Sequence, residues 1–215
     1  MLDKLENLSE IDKKILEVSK QEFLEHGFFK TNLDNIALKL KIGKGTIYRH
    51  FGKKHTLFLS IVAYMLKLNW LSSKELISKE LNFYKSFDIF IDNLINFNKE
   101  TSRFFSAVFS EQVWNEILKA KKKDKQIKEL MDFIMNCRKN AIDMIAEILE
   151  KGKKENLINK NVNSLILGEI ILITLNQFIL SFFMEKKLNK IEYSIEEATK
   201  VLKEFILRGI GYKNI

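Results

Sequence analysis

Residues Lys30 to Leu57 read KTNLDNIALKLKIGKGTIYRHFGKKHTL, and two short helices joined by a tight turn are legible in them. Asn32 is placed to cap a first helix in which Leu33, Ile36, Ala37 and Leu40 recur at i, i+3, i+4 and i+7, a single apolar face. Gly43 stands where a second helix begins, and there only Ile47 and Phe51, four apart, are core residues by type. The other face of that helix is Lys44, Gly45, Thr46, Tyr48, Arg49 and His50, a row of hydrogen-bond donors with no acid among them. Residues 30–55 carry Lys30, Lys39, Lys41, Lys44, Arg49, Lys53 and Lys54 against Asp34 alone, six of the chain's eight net positive charges.

A helix, a short turn and a second helix with a small, donor-rich face is the pattern whose second helix enters the DNA major groove. The plainer reading is a solvated basic hairpin. Lys53 and Lys54 weigh against it. They fall at the start of the following helix, where the macrodipole disfavours cations, and a phosphate partner would restore the balance.

The longer run Ile15 to Leu57, ILEVSKQEFLEHGFFKTNLDNIALKLKIGKGTIYRHFGKKHTL, resembles the DNA-binding head of the TetR (tetracycline-repressor) family of bacterial transcription regulators. The matching features are Gly27 after an aromatic-rich helix, Thr31 before the capping position, Ile36-Ala37, Lys44-Gly45-Thr46-Ile47-Tyr48, His50-Phe51, Lys54 and Leu57. The resemblance implies an all-α fold with a three-helix DNA-binding head carrying the helix-turn-helix over 1–53. A larger helical ligand-binding and dimerisation body would occupy 54–215. It implies a repressor that binds a palindromic double-stranded DNA operator as a homodimer and is released by a small apolar or aromatic effector. Lys44, Gly45, Thr46, Tyr48, Arg49 and His50 would meet DNA, flanked by Thr31, Asn32 and Lys53, with Lys54 on a phosphate. This chain departs from the family in the turn, with Leu40-Lys41 where Ala-Gly is usual and Gly43 where Ser is usual. Lys41 is therefore expected at positive φ, and Gly43 as a weaker cap. The alternative from another class is a helical interaction module whose basic head binds acidic membrane or protein surfaces.

Composition agrees with long helices. The 215 residues are 46% hydrophobic and contain no proline, so a core is affordable and nothing forces helix breaks. Cys137 is the one cysteine, which excludes an intrachain disulfide and suits a reducing cytoplasm. The opening MLDKLENLSE is too acidic and too broken for a signal peptide. His26, His50 and His55 show no metal-ligand pairing at helical spacing, and there is no glycine-rich phosphate loop or nucleophile elbow. The expectation is a cytoplasmic protein that is not an enzyme and needs no metal or cofactor.

Along the chain, Ser9 caps a first helix with Asp12 three residues on, Ile11, Ile15 and Val18 form its buried stripe, and Gly27 ends it. Glu17, Glu22 and Glu25 read as solvent-facing, and Phe23, Phe28 and Phe29 as aromatic filling. From Lys54 the apolar steps Leu57, Ile61, Tyr64, Leu68 and Leu71 make a helix shared by head and body, with Tyr64, Leu68 and Leu71 on its inner face. The pattern lapses from Leu81 to Ser86, and a helix follows over Phe87 to Phe97. Phe104, Phe105, Val108, Phe109, Val113, Trp114 and Ile117 then read as two short helices. The lysine-rich turn Lys119 to Lys125 reads as a solvated loop in preference to a second DNA contact. Beyond it, Ile127 to Leu149 make a long amphipathic helix stopped at Gly152.

Asn161 or Asn163 caps the next helix, LILGEIILITLNQFILSFFM over 165–184, which is apolar nearly all round and long enough for a bilayer. Glu169, Asn176 and Gln177 interrupt it, and a mid-span acid costs about 2.5–3.5 kcal/mol, so no membrane span is expected. Burial between its own core and a second subunit is the remaining solution. A capping box at Ser194 and Glu197 opens the last helix, which carries Ala198, Val201, Leu202, Phe205 and Ile206 to Gly209. The pair resembles the family's dimerisation helices, a four-helix bundle across a two-fold axis with Ile195 and Phe205 at the seam. Effector-cavity candidates are Trp70, Phe104, Phe105, Phe133 and Phe178, with Cys137, Asn176 and Gln177 as polar contacts.

Overall fold

The computed structural model describes residues 5, 7–80, 82–108, 110–186 and 191–212, and among these the regular structure is all helical. Leu81 and Phe109 lie outside the described residues. The elements are α1 (Glu10–Lys30), α2 (Leu33–Leu40), α3 (Lys44–Phe51), α4 (Lys54–Ser78), α5 (Phe83–Val108), α6 (Glu111–Lys121), α7 (Lys125–Lys154), α8 (Ser164–Lys186) and α9 (Ile195–Gly209). They fall into two compact units, Met1–Leu68 with Arg103–Cys137, and Asn69–Ser102 with Arg138–Ile215.

The first unit is built around α1 to α3. Ser9 and Asp12 form a reciprocal cap at the start of α1, each side chain bonded to the other's backbone N–H. Gly27, at φ 72°, breaks the regular helix, and three further residues run on to Lys30. Phe58 of α4 holds the aromatic core, its ring centroid 5.3 Å from those of both Phe23 and Phe28 and 6.0 Å from that of Phe104. Ile36, Ile47 and Phe51 are fully enclosed beneath it, so the apolar sides of α2 and α3 are those read from their spacing.

The α2–α3 turn solves the missing glycine by using Lys41 itself in the left-handed region, at φ 53° and ψ 41°. The Ile42 N–H reaches the Ala37 carbonyl at 3.0 Å and the Lys41 N–H the Leu38 carbonyl at 3.1 Å, a Schellman closure with Ile42 packed at the core. A Cβ in that conformation costs about 1–2 kcal/mol. Lys41→Gly should therefore stabilise the protein by roughly 0.5–1 kcal/mol after the added unfolded-state entropy of glycine. A denaturation midpoint that stays put or falls would show that the turn carries no such strain.

One acid differs from its expected place. Glu22 is buried, 1% exposed, while Glu17 and Glu25 face solvent. The Lys39 ammonium of α2 pairs with the Glu22 carboxylate, and this supplies the compensating charge that burial demands. Glu22, Glu25 and His26 also converge closely enough to suit a metal ion, a grouping that helical spacing alone does not suggest. Lys39 contacts both acids and fills the cation's role there.

In the second unit the core is Ile77, Phe83, Phe87, Ile91, Ile145, Ile148, Leu149, Leu175 and their neighbours. Phe83 to Val108 form one helix, not a helix and a separate short one, because no cap or breaker interrupts them; Ser110 caps α6, accepting the Val113 N–H at 3.3 Å. Gly152 does not stop α7. A Cβ there would lie 2.8 Å from the Phe83 ring, so the glycine admits that ring. The helix ends instead at Asn156, φ 58°, with the Leu157 N–H on the Gly152 carbonyl at 2.9 Å.

Along α4, Leu68 and Leu71 are exposed, against expectation. The inward stripe is Leu66, Trp70, Ser73 and Ile77, also spaced by fours and threes; packing chose between two apolar stripes that spacing alone could not rank.

Asn163 caps α8, its side chain accepting the Leu165 and Ile166 N–H groups at 3.1 Å each. Ser164–Phe182 is long and apolar enough to cross a membrane by length and composition. Within this unit it is a core helix on one face, burying Ile171, Leu172, Leu175, Ile179 and Phe182, with Gly168 against the Ile142 carbonyl. Its interrupting acid, Glu169, pairs with Arg138 at 2.8 Å. The opposite face leaves Ile166, Ile170, Ile173 and Gln177 in one exposed row, Ile166 at 60%. On α9 the capping box of Ser194 and Glu197 forms as read, and Val201 and Phe205 are likewise bare, Phe205 at 71%. Ile195, expected at the seam, is instead buried with Phe182 and Ala198, because it faces its own chain.

Candidate nucleic-acid interface

The α2–turn–α3 hairpin presents its polar residues on one surface. Asn32 caps α2, its side-chain oxygen accepting the Asp34 N–H at 2.9 Å. Gly43 opens α3 with no side-chain cap, which leaves the first N–H groups of that helix without one. Gly45, Tyr48 and Arg49 are exposed, Thr46 half-buried, and Arg49 has no ion-pair partner among the described residues. Gly45 has open space around a would-be Cβ, so a surface can approach the backbone closely there. Lys44 leans across the turn to Asp34 at 2.7 Å, and that bond raises its pKa, keeping it cationic.

Other candidates are tied into the head. Thr31 is buried; its hydroxyl donates to the Gly27 carbonyl at 2.7 Å and the Glu22 carbonyl at 3.2 Å, closing the end of α1. His50 Nδ1 lies 2.7 Å from the Asp12 carboxylate, so α3 is pinned to the start of α1. Lys54 Nζ donates to the Phe29 and Thr31 carbonyls at 3.0 and 3.3 Å and lies 5.1 Å over the Phe28 ring. Burial lowers its pKa. This cation, misplaced by sequence at the start of α4, thus has an internal partner in the carbonyl end of α1, while Lys53 beside it stays exposed.

Asp12 escapes sequence reasoning as a partner of His50, since no local signal links residues 38 positions apart. Asp34 reads in the sequence only as the lone acid of the stretch. Its position ten residues before Lys44 is legible, but not the turn geometry that joins them.

Residues 15–61, which contain this whole hairpin, match the family described as bacterial regulatory proteins, tetR family. The likeness to the TetR family thus covers the helix-turn-helix segment, residues 15–61. It is 31% identical over 103 residues to YhgD, an uncharacterized HTH-type transcriptional regulator of Bacillus subtilis (strain 168). That match covers 47% of this chain and about half of the relative, 53%. Among solved structures, the transcriptional regulator FadR from Bacillus subtilis, in complex with stearoyl-CoA, superposes with a TM-score of 0.70. It is 16% identical and covers 92% of this chain and 98% of its own. The TetR-family regulator PfmR from Thermus thermophilus gives 0.67 at 21% identity, covering 90% and 97%. At these identities the structural likeness speaks for the fold, an HTH head on a helical body.

The eight effector candidates are distributed between the units. Phe104 is buried against Phe58 and Phe105 in the first, with Phe133 half-buried and Cys137 buried, its thiol pKa raised by desolvation. In the second, Trp70 and Phe178 are half-buried and Asn176 accepts from Asn98 at 3.3 Å. Gln177 lies on the exposed row of α8. A cleft of about 850 Å³ in the second unit is lined by others, among them Tyr84, Asp88, Asp92, Lys203 and Tyr212. Lys203 bridges Asp88 and Asp92 there.

Proposed function

We propose that this protein is a cytoplasmic transcriptional repressor that binds a palindromic operator as a homodimer and is released by a small apolar or aromatic effector. The observation that carries the reading is α3. It has a donor-bearing face on which Gly45, Tyr48 and Arg49 are exposed and Lys44 and Thr46 half-buried, and an apolar side formed by the buried Ile47 and Phe51. A rigid helix of that kind supplies groove contacts without ordering cost at binding. Lys53 is assigned to phosphate, Asn32 and Thr31 to the entry of the hairpin, and His50 and Lys54 to holding α3 and α4 in place, with Lys54 also near phosphate. Residues 1–53 form the reading head in this proposal, and 54–215 the effector and dimerisation body.

The bare rows on α8 and α9 support a two-fold partner, since exposed apolar area of this kind marks an interface. The stearoyl-CoA complex of a neighbour with this fold supports an apolar effector. Helix α4 leaves the head and continues without a glycine or proline, so effector binding that favours one tilt of α4 shifts the dimer away from its operator.

Selection of bound duplexes from a random-sequence pool tests the reading. Inverted half-sites with centres about 34–36 Å apart, or a multiple, are expected. On the recovered duplex, Arg49→Ala should cost about 1–3 kcal/mol and relax preference at one base position, whereas Lys53→Ala weakens all sequences alike. Equal losses for Arg49→Ala on selected and random DNA would remove it from base reading, and a pool without inverted repeats would remove the dimeric operator.

A further inference from the structure

The turn between α6 and α7 carries Lys119, Lys121, Lys122, Lys123 and Lys125 in seven positions, with Asp124 as its one acid. Asp124 is already committed: its carboxylate accepts the Gln126 N–H at 2.9 Å and the Ile127 N–H at 3.4 Å, capping α7. Lys119, Lys121, Lys122 and Lys123 have no ion-pair partner among the described residues, and Lys125 reaches Glu129 only at 3.8 Å. Lysines at the C-terminal end of α6 suit its dipole. Lys122, the C-cap of α6, suits it too, whereas Lys123 and Lys125, just before and at the start of α7, do not suit that helix's dipole. Five like charges in seven residues repel one another, and among the described residues the one ion pair they make is Lys125 with Glu129.

The position of this turn in the first unit matters more than its composition. Gly52, the residue that ends α3, is so close to the start of α7 that a Cβ there would lie 3.2 Å from Gln126 Oε1. Glu116 of α6 sits 3.8 Å from His55 at the start of α4, and Ile117 and Ile127, either side of the turn, are buried in the same core as Phe51 and Phe58. The lysine turn is therefore anchored beside the C-terminal end of the reading helix, next to exposed Lys53. We infer that it is a second DNA-backbone contact, gripping phosphates that flank the half-site read by α3. The inference rests on the DNA-binding reading above. Its chemistry is that of point-charge phosphate binding, which adds affinity and salt dependence and carries no base information.

The test uses the full-length protein and a duplex recovered from the random pool, prepared with and without an extra helical turn of flanking DNA. The triple variant Lys122→Gln, Lys123→Gln, Lys125→Gln should bind with a log–log salt slope reduced by about 0.9 for each phosphate it no longer neutralises. Its loss should be the same factor on selected and random duplexes, and it should no longer distinguish long from short flanks. A control variant removes equal charge from the second unit, at Lys79, Lys160 and Lys200, and should keep the wild-type slope. A triple variant with the wild-type slope and flank preference, or a control that loses as much, overturns the inference while leaving the operator reading intact. Wild-type protein that binds no duplex at all would overturn both.

Discussion

Phe205→Asp is expected to sediment as a monomer at micromolar concentration and to bind its operator about 10²–10⁴-fold more weakly than the parent, the avidity lost when two half-sites no longer act together. The Phe205 side chain is 71% exposed on α9, one turn from Val201, and α8 offers Ile166, Ile170 and Ile173 in a parallel case of bare apolar surface. A carboxylate placed there would have to be desolvated against apolar neighbours in any symmetric pairing, and twice over, because an isologous contact repeats every substitution. The fold of the monomer should survive, since Phe205 supports nothing in its own core. Ile195→Asp makes the contrast: that residue is buried against Phe182 and Ala198, so its loss should unfold the chain rather than dissociate it. Circular dichroism separates the two outcomes. A folded Phe205→Asp protein that still sediments as a dimer would place the interface elsewhere.

Phe58→Ala should cost about 3–5 kcal/mol of global stability, a large share of the roughly 5–15 kcal/mol a domain possesses. Its ring is fully buried and touches Phe23 and Phe28 of α1 and Phe104 of α5, so truncation opens a void that three elements cannot close together. The same ring is what seats α4 against α1. Loss of operator affinity is therefore expected even where the variant remains folded, because α3 then samples more orientations than the groove accepts. Denaturant unfolding measures the first effect and duplex titration the second. A loss under about 1 kcal/mol would mean the aromatic cluster repacks freely, contrary to the close packing expected of a core.

The head was legible because its information is local. Asn32, Gly43, Ser9 with Asp12 and Ser194 with Glu197 each act within one helical turn, and the spacing of Leu33, Ile36 and Ala37 or of Ile47 and Phe51 states which side is buried. Even the unusual turn was readable, since a helix that must end at Leu40 without glycine leaves Lys41 to take the left-handed conformation. The proline-free composition and the chain of apolar steps likewise indicated long helices, though not where α5 would continue or α7 would end.

What the amino-acid order determined by itself was thus the all-α class, the caps, the helix-turn-helix and the concentration of charge on it. Tertiary structure alone decided which of two stripes of α4 turned inward, that Gly152 admits the Phe83 ring, that Glu22 is buried with Lys39, and that Asp12 holds His50. It also decided that the α6–α7 lysines lie beside Gly52. The physical reason is the range of each interaction. Caps and helical faces are set by residues three or four apart, whereas a buried ion pair or a ring against a glycine requires partners that only the packed chain brings together.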